Sequence, residues 1–316
     1  MTALRFGVVT GQGNTTWPDL LALWQEIDSA SNYDNIWLVD HFVPGMGTEA
    51  AGADGPHFEG WTALAALAQA TSRARIGILV TGNTYRNPSV LAKMATTVDH
   101  ISGGRLILGL GAAWHEFEHR TFGLPFYTTR ERLERLEEAA QVIKLLWTQD
   151  RPEFGGRFYT LDRPFVNPPN IQTPHPPLLI GGGGEKRTLR TVARYADMCN
   201  ISGSPDTIRH KVEVLRRHCD EAGRDPAEIT VTAQALLFLN EDPAFQERVV
   251  QGFKAFRDVD EDEARGSVLL GGVEQISESV AAFAAAGVQE LYVGQFPRLH
   301  RQSLLRFSAE IIPAFR

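Results

Sequence analysis

Asn35-Ile36-Trp37-Leu38-Val39-Asp40-His41-Phe42 is an apolar run of strand length that stops abruptly at a carboxylate and an imidazole. A parallel strand buried on both faces reads as continuous apolar residues, and polar groups return where its carboxyl end opens onto a site. Asp40 and His41 are therefore the first candidates for chemistry. A cap at Asp40 and a turn packed around His41 would produce the same eight letters, so the pair alone leaves both readings open.

On either side of this stretch, short apolar runs alternate with longer helical patterns, the mark of a parallel sheet with crossover helices. Strands are expected at residues 4–9, 36–39, 76–80, 106–110, 178–180, 197–201, 229–233 and 290–293. Helices are expected at 17–30, 61–71, 88–101 and 185–195. Two more follow the capping box Thr128-Thr129-Arg130-Glu131 and the cap Ser204-Pro205. Gly103-Gly104 supplies the positive φ that ends a helix and turns the chain into the fourth strand. Residues 151–176 form a proline-rich excursion with a short hairpin at 157–161, and the segment from 234 to Gly272 is a longer, partly helical connection. Eight strands in 316 residues select one domain, a single α/β (β/α)8 TIM barrel with insertions, over an open doubly wound sheet. That topology puts Asp40, Thr81, Gly111 and Gly181 at strand carboxyl ends, the face on which such barrels carry their sites. The loop from Pro44 to Gly55 is long enough to act as a lid.

Composition excludes several classes. Hydrophobic content of 43% and charged content of 22% suit a globular protein, and the net charge of −7 argues against a nucleic-acid or anionic-membrane binder. No window approaches a membrane span, and the start of the chain reads as a strand rather than a signal peptide. Cys199 and Cys219 fit neither a disulfide framework nor a ligand spacing, so a reduced, cytoplasmic protein is expected.

Four stretches carry chemistry. Gly181, Gly182, Gly183 and Gly184 lie between a strand and a helix, where successive N–H groups can hold a phosphate; a tight turn is their plainer use. They match neither Gly-x-Gly-x-x-Gly nor a P-loop, so the phosphate belongs to a cofactor tail. Thr81 and Asn83 offer a hydroxyl and an amide for the edge of a planar heterocycle. Gly111 and the alanines after it admit close approach before Trp114 supplies a flat aromatic surface. His115-Glu116-Phe117-Glu118-His119 spells the zinc-protease motif His-Glu-x-x-His. It lacks a third ligand and the usual helical setting, so no metal is expected and a zinc hydrolase is the outsider. Arg130, Arg132, Glu134 and Arg135 read as the solvated face of an amphipathic helix, and Trp37, Trp61 and Trp147 as packing.

Taken together, Asp40-His41, the run from Thr81 to Pro88, the stretch from Leu91 to Arg105, Leu106 to Trp114, the four glycines and Ala193-Arg194-Tyr195-Ala196-Asp197 resemble the bacterial luciferase-like superfamily. Within it, the resemblance is to the coenzyme F420 (deazaflavin)-dependent oxidoreductases. It implies a barrel, usually a homodimer, with the ring at the carboxyl face and its phosphate tail near the glycines. It also implies that Asp40 contacts the ring region, that His41 gives or takes a proton, and that residues 79–83, Val80 among them, back the ring, often through a non-proline cis peptide. Some relatives carry a catalytic glutamate where this chain has Trp114, which speaks against a sugar-phosphate dehydrogenase mechanism. The expected activity is hydride transfer between F420 and a small organic substrate. Alternatives are an FMN-dependent monooxygenase on the same fold and a flavin-binding protein without catalysis.

Overall fold

The computed structural model describes residues 3–44, 54–294 and 300–316. Eight parallel strands close into a barrel: β1 (Arg5–Val9), β2 (Asn35–Leu38), β3 (Arg75–Ile78), β4 (Leu106–Gly111), β5 (Leu178–Gly181), β6 (Met198–Ile201), β7 (Thr230–Leu239) and β8 (Glu290–Gly294). Closure comes from β8 lying between β7 and β1, with Val8 opposite both Val293 and Ile36. Helices α1 (Trp17–Ala30), α2 (Gly60–Ala70), α3 (Pro88–Ser102), α4 (Thr129–Thr148), α5 (Thr188–Tyr195), α6 (Pro205–Ala222) and α7 (Val273–Ala285) surround it. Thr16, Asn87, Thr128 and Ser204 cap α1, α3, α4 and α6 through their side chains, and Gly103 ends α3 in the left-handed conformation.

Strand alternation divides the core in two. Val9, Trp37, Leu79, Ile107, Leu179, Met198 and Tyr292 pack together inside the barrel, while the intervening residues join the larger layer under the helices. Two glycines admit the largest interior rings. A Cβ at Gly7 would lie 2.6 Å from the Tyr292 ring, and one at Gly77 2.5 Å from Trp37. The two rings sit 5.0 Å apart and help fill the barrel interior.

Three expectations need correction. The seventh strand runs to Leu239 rather than residue 233, because its second half finds a partner in Val268–Gly271, a strand hidden in what reads as a helical connection. Gln234 breaks the apolar run but not the pairing. Helix α5 begins at Thr188 instead of 185; Arg187 makes no side-chain cap, and the chain turns once after the glycines before the helix forms. The hairpin pairs Glu153–Gly155 with Thr160–Asp162, so Arg157 lies in its turn. Of the expected lid, residues 45–53 lie outside the described residues. No helix among the described residues is long and apolar enough to cross a membrane, and Cys199 and Cys219 are buried and free.

Candidate active site

At the carboxyl end of β2 the chain passes through Asp40 to His41, and Glu118, from the short helix Glu116–Thr121 after β4, meets it from across the mouth. Glu118 Oε1 accepts the backbone N–H groups of Phe42 at 2.7 Å and Val43 at 3.1 Å; Oε2 accepts the Tyr85 hydroxyl at 2.6 Å and pairs with His41 Nδ1 at 3.0 Å. Burial opposes a charge on Glu118, yet the bonds from His41, Tyr85 and Phe42 hold its carboxyl down at about 2. An ionised carboxylate only accepts, so the His41 nitrogen facing it, Nδ1, is the one that carries a proton. Burial and the bond to Glu118 push the Tyr85 phenol up. His57 lies nearby; burial, then the neighbouring His41, lowers it to about 4.

Asp40 is buried and fully engaged. Arg86 grips it with two bonds, 2.7 and 3.0 Å, while the Gly82 N–H donates to Oδ2 at 3.0 Å. Arg86 also reaches Glu59 at 2.5 Å, the residue that caps α2. Burial pushes Asp40 up to about 6 against the pull of Arg86. Asp40 therefore braces the strand pair Thr81–Gly82 with Leu110–Gly111 from behind. Thr81 stands behind the mouth too: it has no exposed surface, and its hydroxyl accepts the Trp61 indole N–H at 3.1 Å.

Val80 follows a cis Leu79–Val80 peptide and projects between β4 and β5. A Cβ at Gly111 would sit 2.6 Å from Val80, and one at Gly181 2.9 Å, so these glycines make room for it. Asn83 is buried, with Nδ2 3.4 Å from the Tyr159 hydroxyl and Oδ1 without a hydrogen-bond partner among the described residues. Trp114 is 50% exposed and stands edge-on to His41, ring centroids 5.4 Å apart. It is presented by Ala113, which adopts a left-handed φ of 59° and whose carbonyl accepts a bond from Arg132. Arg132 is thus no solvated residue as its helical position suggests: it is buried, and it anchors the loop after β4.

Gly182, Gly183 and Gly184 lie at or near the surface, but the Gly182 N–H is already bonded to the carbonyl of Asn200. The loop thus offers Gly183 and Gly184, with Lys211 beside them, 2.7 Å from the Gly183 carbonyl.

The zinc-protease spelling does not survive in space. His119 is buried with both nitrogens engaged, Nδ1 with the His115 carbonyl at 2.8 Å and Nε2 with Thr84 at 2.6 Å, so it does not converge with His115. Sequence reasoning gave no role to Glu118, Tyr85, Arg86 or His57. Tyr85-Arg86 directly after a strand end was the available signal for two of them.

The sequence model of the luciferase-like monooxygenase family matches residues 1–257. This chain belongs to that family. Among luciferase-like relatives it is 31% identical over 216 residues to the F420-dependent glucose-6-phosphate dehydrogenase of Kineococcus radiotolerans, covering 67% of this chain and 61% of that protein, less than two thirds of its length. To the FMNH2-dependent dimethylsulfone monooxygenase of Pseudomonas putida it is 28% identical, covering 85% of this chain and 81% of the relative. The solved coenzyme F420-dependent tetrahydromethanopterin reductase of Methanopyrus kandleri superposes over the full length of both chains with a TM-score of 0.82 at 20% identity, which establishes the luciferase-like barrel fold.

Proposed function

We propose that this chain is an oxidoreductase transferring a hydride between coenzyme F420 and a small organic substrate, with His41 handling the accompanying proton. The observation that carries the reading is one arrangement at the barrel mouth. His41 is tied through Nδ1 to an ionised Glu118, and Asn83 keeps a buried Oδ1 without a donor among the described residues. Such an orphaned acceptor fits a ring N–H of a flavin-type heterocycle, which would satisfy it. Val80, Gly111 and Gly181 would line the ring, Trp114 would flank it, and Gly183 and Gly184 with Lys211 would hold its phosphate tail. Asp40 and Thr81 support this wall from behind.

The coenzyme supplies hydride chemistry at one ring carbon. His41 does the rest. With Nδ1–H held by Glu118, its Nε2 takes a proton from a substrate hydroxyl in the oxidising direction and returns it in the reverse, help worth about 10²–10⁴ in rate. Similarity to an F420-dependent dehydrogenase supports this reading. One finding favours an FMN-dependent monooxygenase as the second: the dimethylsulfone enzyme aligns over more of the chain. The test is titration with oxidised F420 and, separately, FMN, followed by fluorescence and absorbance. Preferential F420 binding is expected; preferential FMN binding moves the monooxygenase to first place, and binding of neither overturns both. A cytoplasmic homodimer belongs to the same reading, and sedimentation and cell fractionation check it.

A further inference from the structure

His41, His115 and Glu118 bring three ligand atoms within 4.8 Å of one another. Nδ1 of each histidine lies 3.0 Å from Glu118 Oε2, and the two rings cross at 82° with centroids 5.3 Å apart. We infer that these three residues form a binding site for one divalent ion of the zinc class, held by Nδ1 of His41, Nδ1 of His115 and a carboxylate oxygen of Glu118.

The first support is His115 itself. It is 2% exposed, yet neither ring nitrogen makes a hydrogen bond among the described residues; Nδ1 is near Glu118 but off the line a hydrogen bond needs. A buried imidazole left so is costly, whereas a metal ion between the nitrogen and the carboxylate would take its lone pair along that off-line direction. The second is the donor set. Two imidazoles and one carboxylate make an open tetrahedral zinc site with a fourth position for water. Bonds of about 2.0–2.1 Å at tetrahedral angles set ligand atoms about 3.3–3.4 Å apart, so the two histidine–carboxylate separations of 3.0 Å need to widen by only a few tenths of an ångström, and the two histidine nitrogens lie within 4.8 Å of each other. The third is the outer shell: the Tyr85 hydroxyl and the N–H groups of Phe42 and Val43 already fix Glu118. His41, 24% exposed, is the open side through which an ion enters.

These ligands are not those the motif spells. His119 is bonded to Thr84 and the His115 carbonyl, and His41 from the opposite wall takes its place, so the expectation of no metal gives way to a set no local spelling contains. Binding moves the His41 proton from Nδ1 to Nε2, with no net release, and leaves the ring in the other tautomer with Nε2 protonated. The ion and the proton exchange proposed above are therefore mutually exclusive. That consequence rests on the oxidoreductase reading; the binding itself does not.

The experiment is titration of the cofactor-free protein with Co2+, followed by visible absorption. One equivalent should give the intense bands of four-coordinate cobalt, bleached by Zn2+. His115→Ala should lower the affinity by more than about 100-fold, beyond the 10–100-fold of outer-shell changes. His41→Ala, at a partly exposed position, must show the same loss should His115→Ala fail to fold. His210→Ala, at an exposed histidine, should change nothing. No binding, the weak spectrum of six-coordinate cobalt, or affinity indifferent to His41 and His115 overturns the site. None of these readouts depends on which flavin binds.

Discussion

At the amino-terminal end of the barrel, Asp28 accepts backbone N–H bonds from Ser72, Arg73 and Ala74, and Asp99 accepts those of Ile171 and Gln172. Arg105 spreads its guanidinium over the carbonyls of Ala68, Thr71, Ala74 and Ser102. At the carboxyl end the same kinds of group are left incomplete: Asn83 Oδ1 and both nitrogens of His57 and His115 have no hydrogen-bond partner among the described residues. The two remaining orphans, on Trp37 and Arg190, lie in the barrel interior and in α5, not at the amino end. Buried polar atoms are normally paired, so the difference separates an end built for stability from one built to receive something.

The comparison can be broken by substitutions that should act at one end only. The largest effect expected is on turnover: His41→Ala should cost about 10²–10⁴-fold in rate with cofactor affinity unchanged, and intact turnover would remove His41 from the mechanism. Next comes Asp28→Ala, which strands three backbone N–H groups, that of buried Ala74 and those of the more exposed Ser72 and Arg73, and should lower unfolding free energy in urea by about 2–3 kcal/mol, leaving cofactor binding alone. Asp28→Asn sharpens the same point through pH. Burial opposes the charge, but the N–H groups of Ala74, Ser72 and Arg73 outweigh it and hold the Asp28 carboxyl below its ordinary 3.8. Its contribution is therefore present above about pH 4 and lost as pH falls through the native value, so the stability gap between wild type and Asp28→Asn should close on acidification. A gap that widens instead would refute the assignment. The smallest effect is at the mouth. Asn83→Ala should weaken cofactor binding by about tenfold, one hydrogen bond's worth, while urea stability moves by less than about 1 kcal/mol, because the lost acceptor was unpaired.

The amino-end framework and the barrel were largely readable from the chain, because alternation and helical period report burial and burial builds the barrel. Caps at Asn87, Thr128 and Ser204 were equally plain, being local chemistry between neighbours. Val268–Gly271 escaped notice because a four-residue apolar run beside helical patterns has no period of its own. The site was less legible for a different reason. Glu118 gains its meaning from His41 and Tyr85, which reach it from other strands, and no spacing along the chain encodes that convergence. Arg132 misled in the opposite way: its position on α4 looks solvated until the loop after β4 folds over it.

Val80 occupies the space that a Cβ would claim at both Gly111 and Gly181. The three positions are therefore historically contingent on one another. A lineage can reach alanine at 111 or 181 only after residue 80 has become smaller, and an enlarged residue 80 closes both routes at once. In a library varying all three, survivors should fall into two families, a valine with two glycines or a glycine or alanine at 80 with side chains opposite it, with few sequences between.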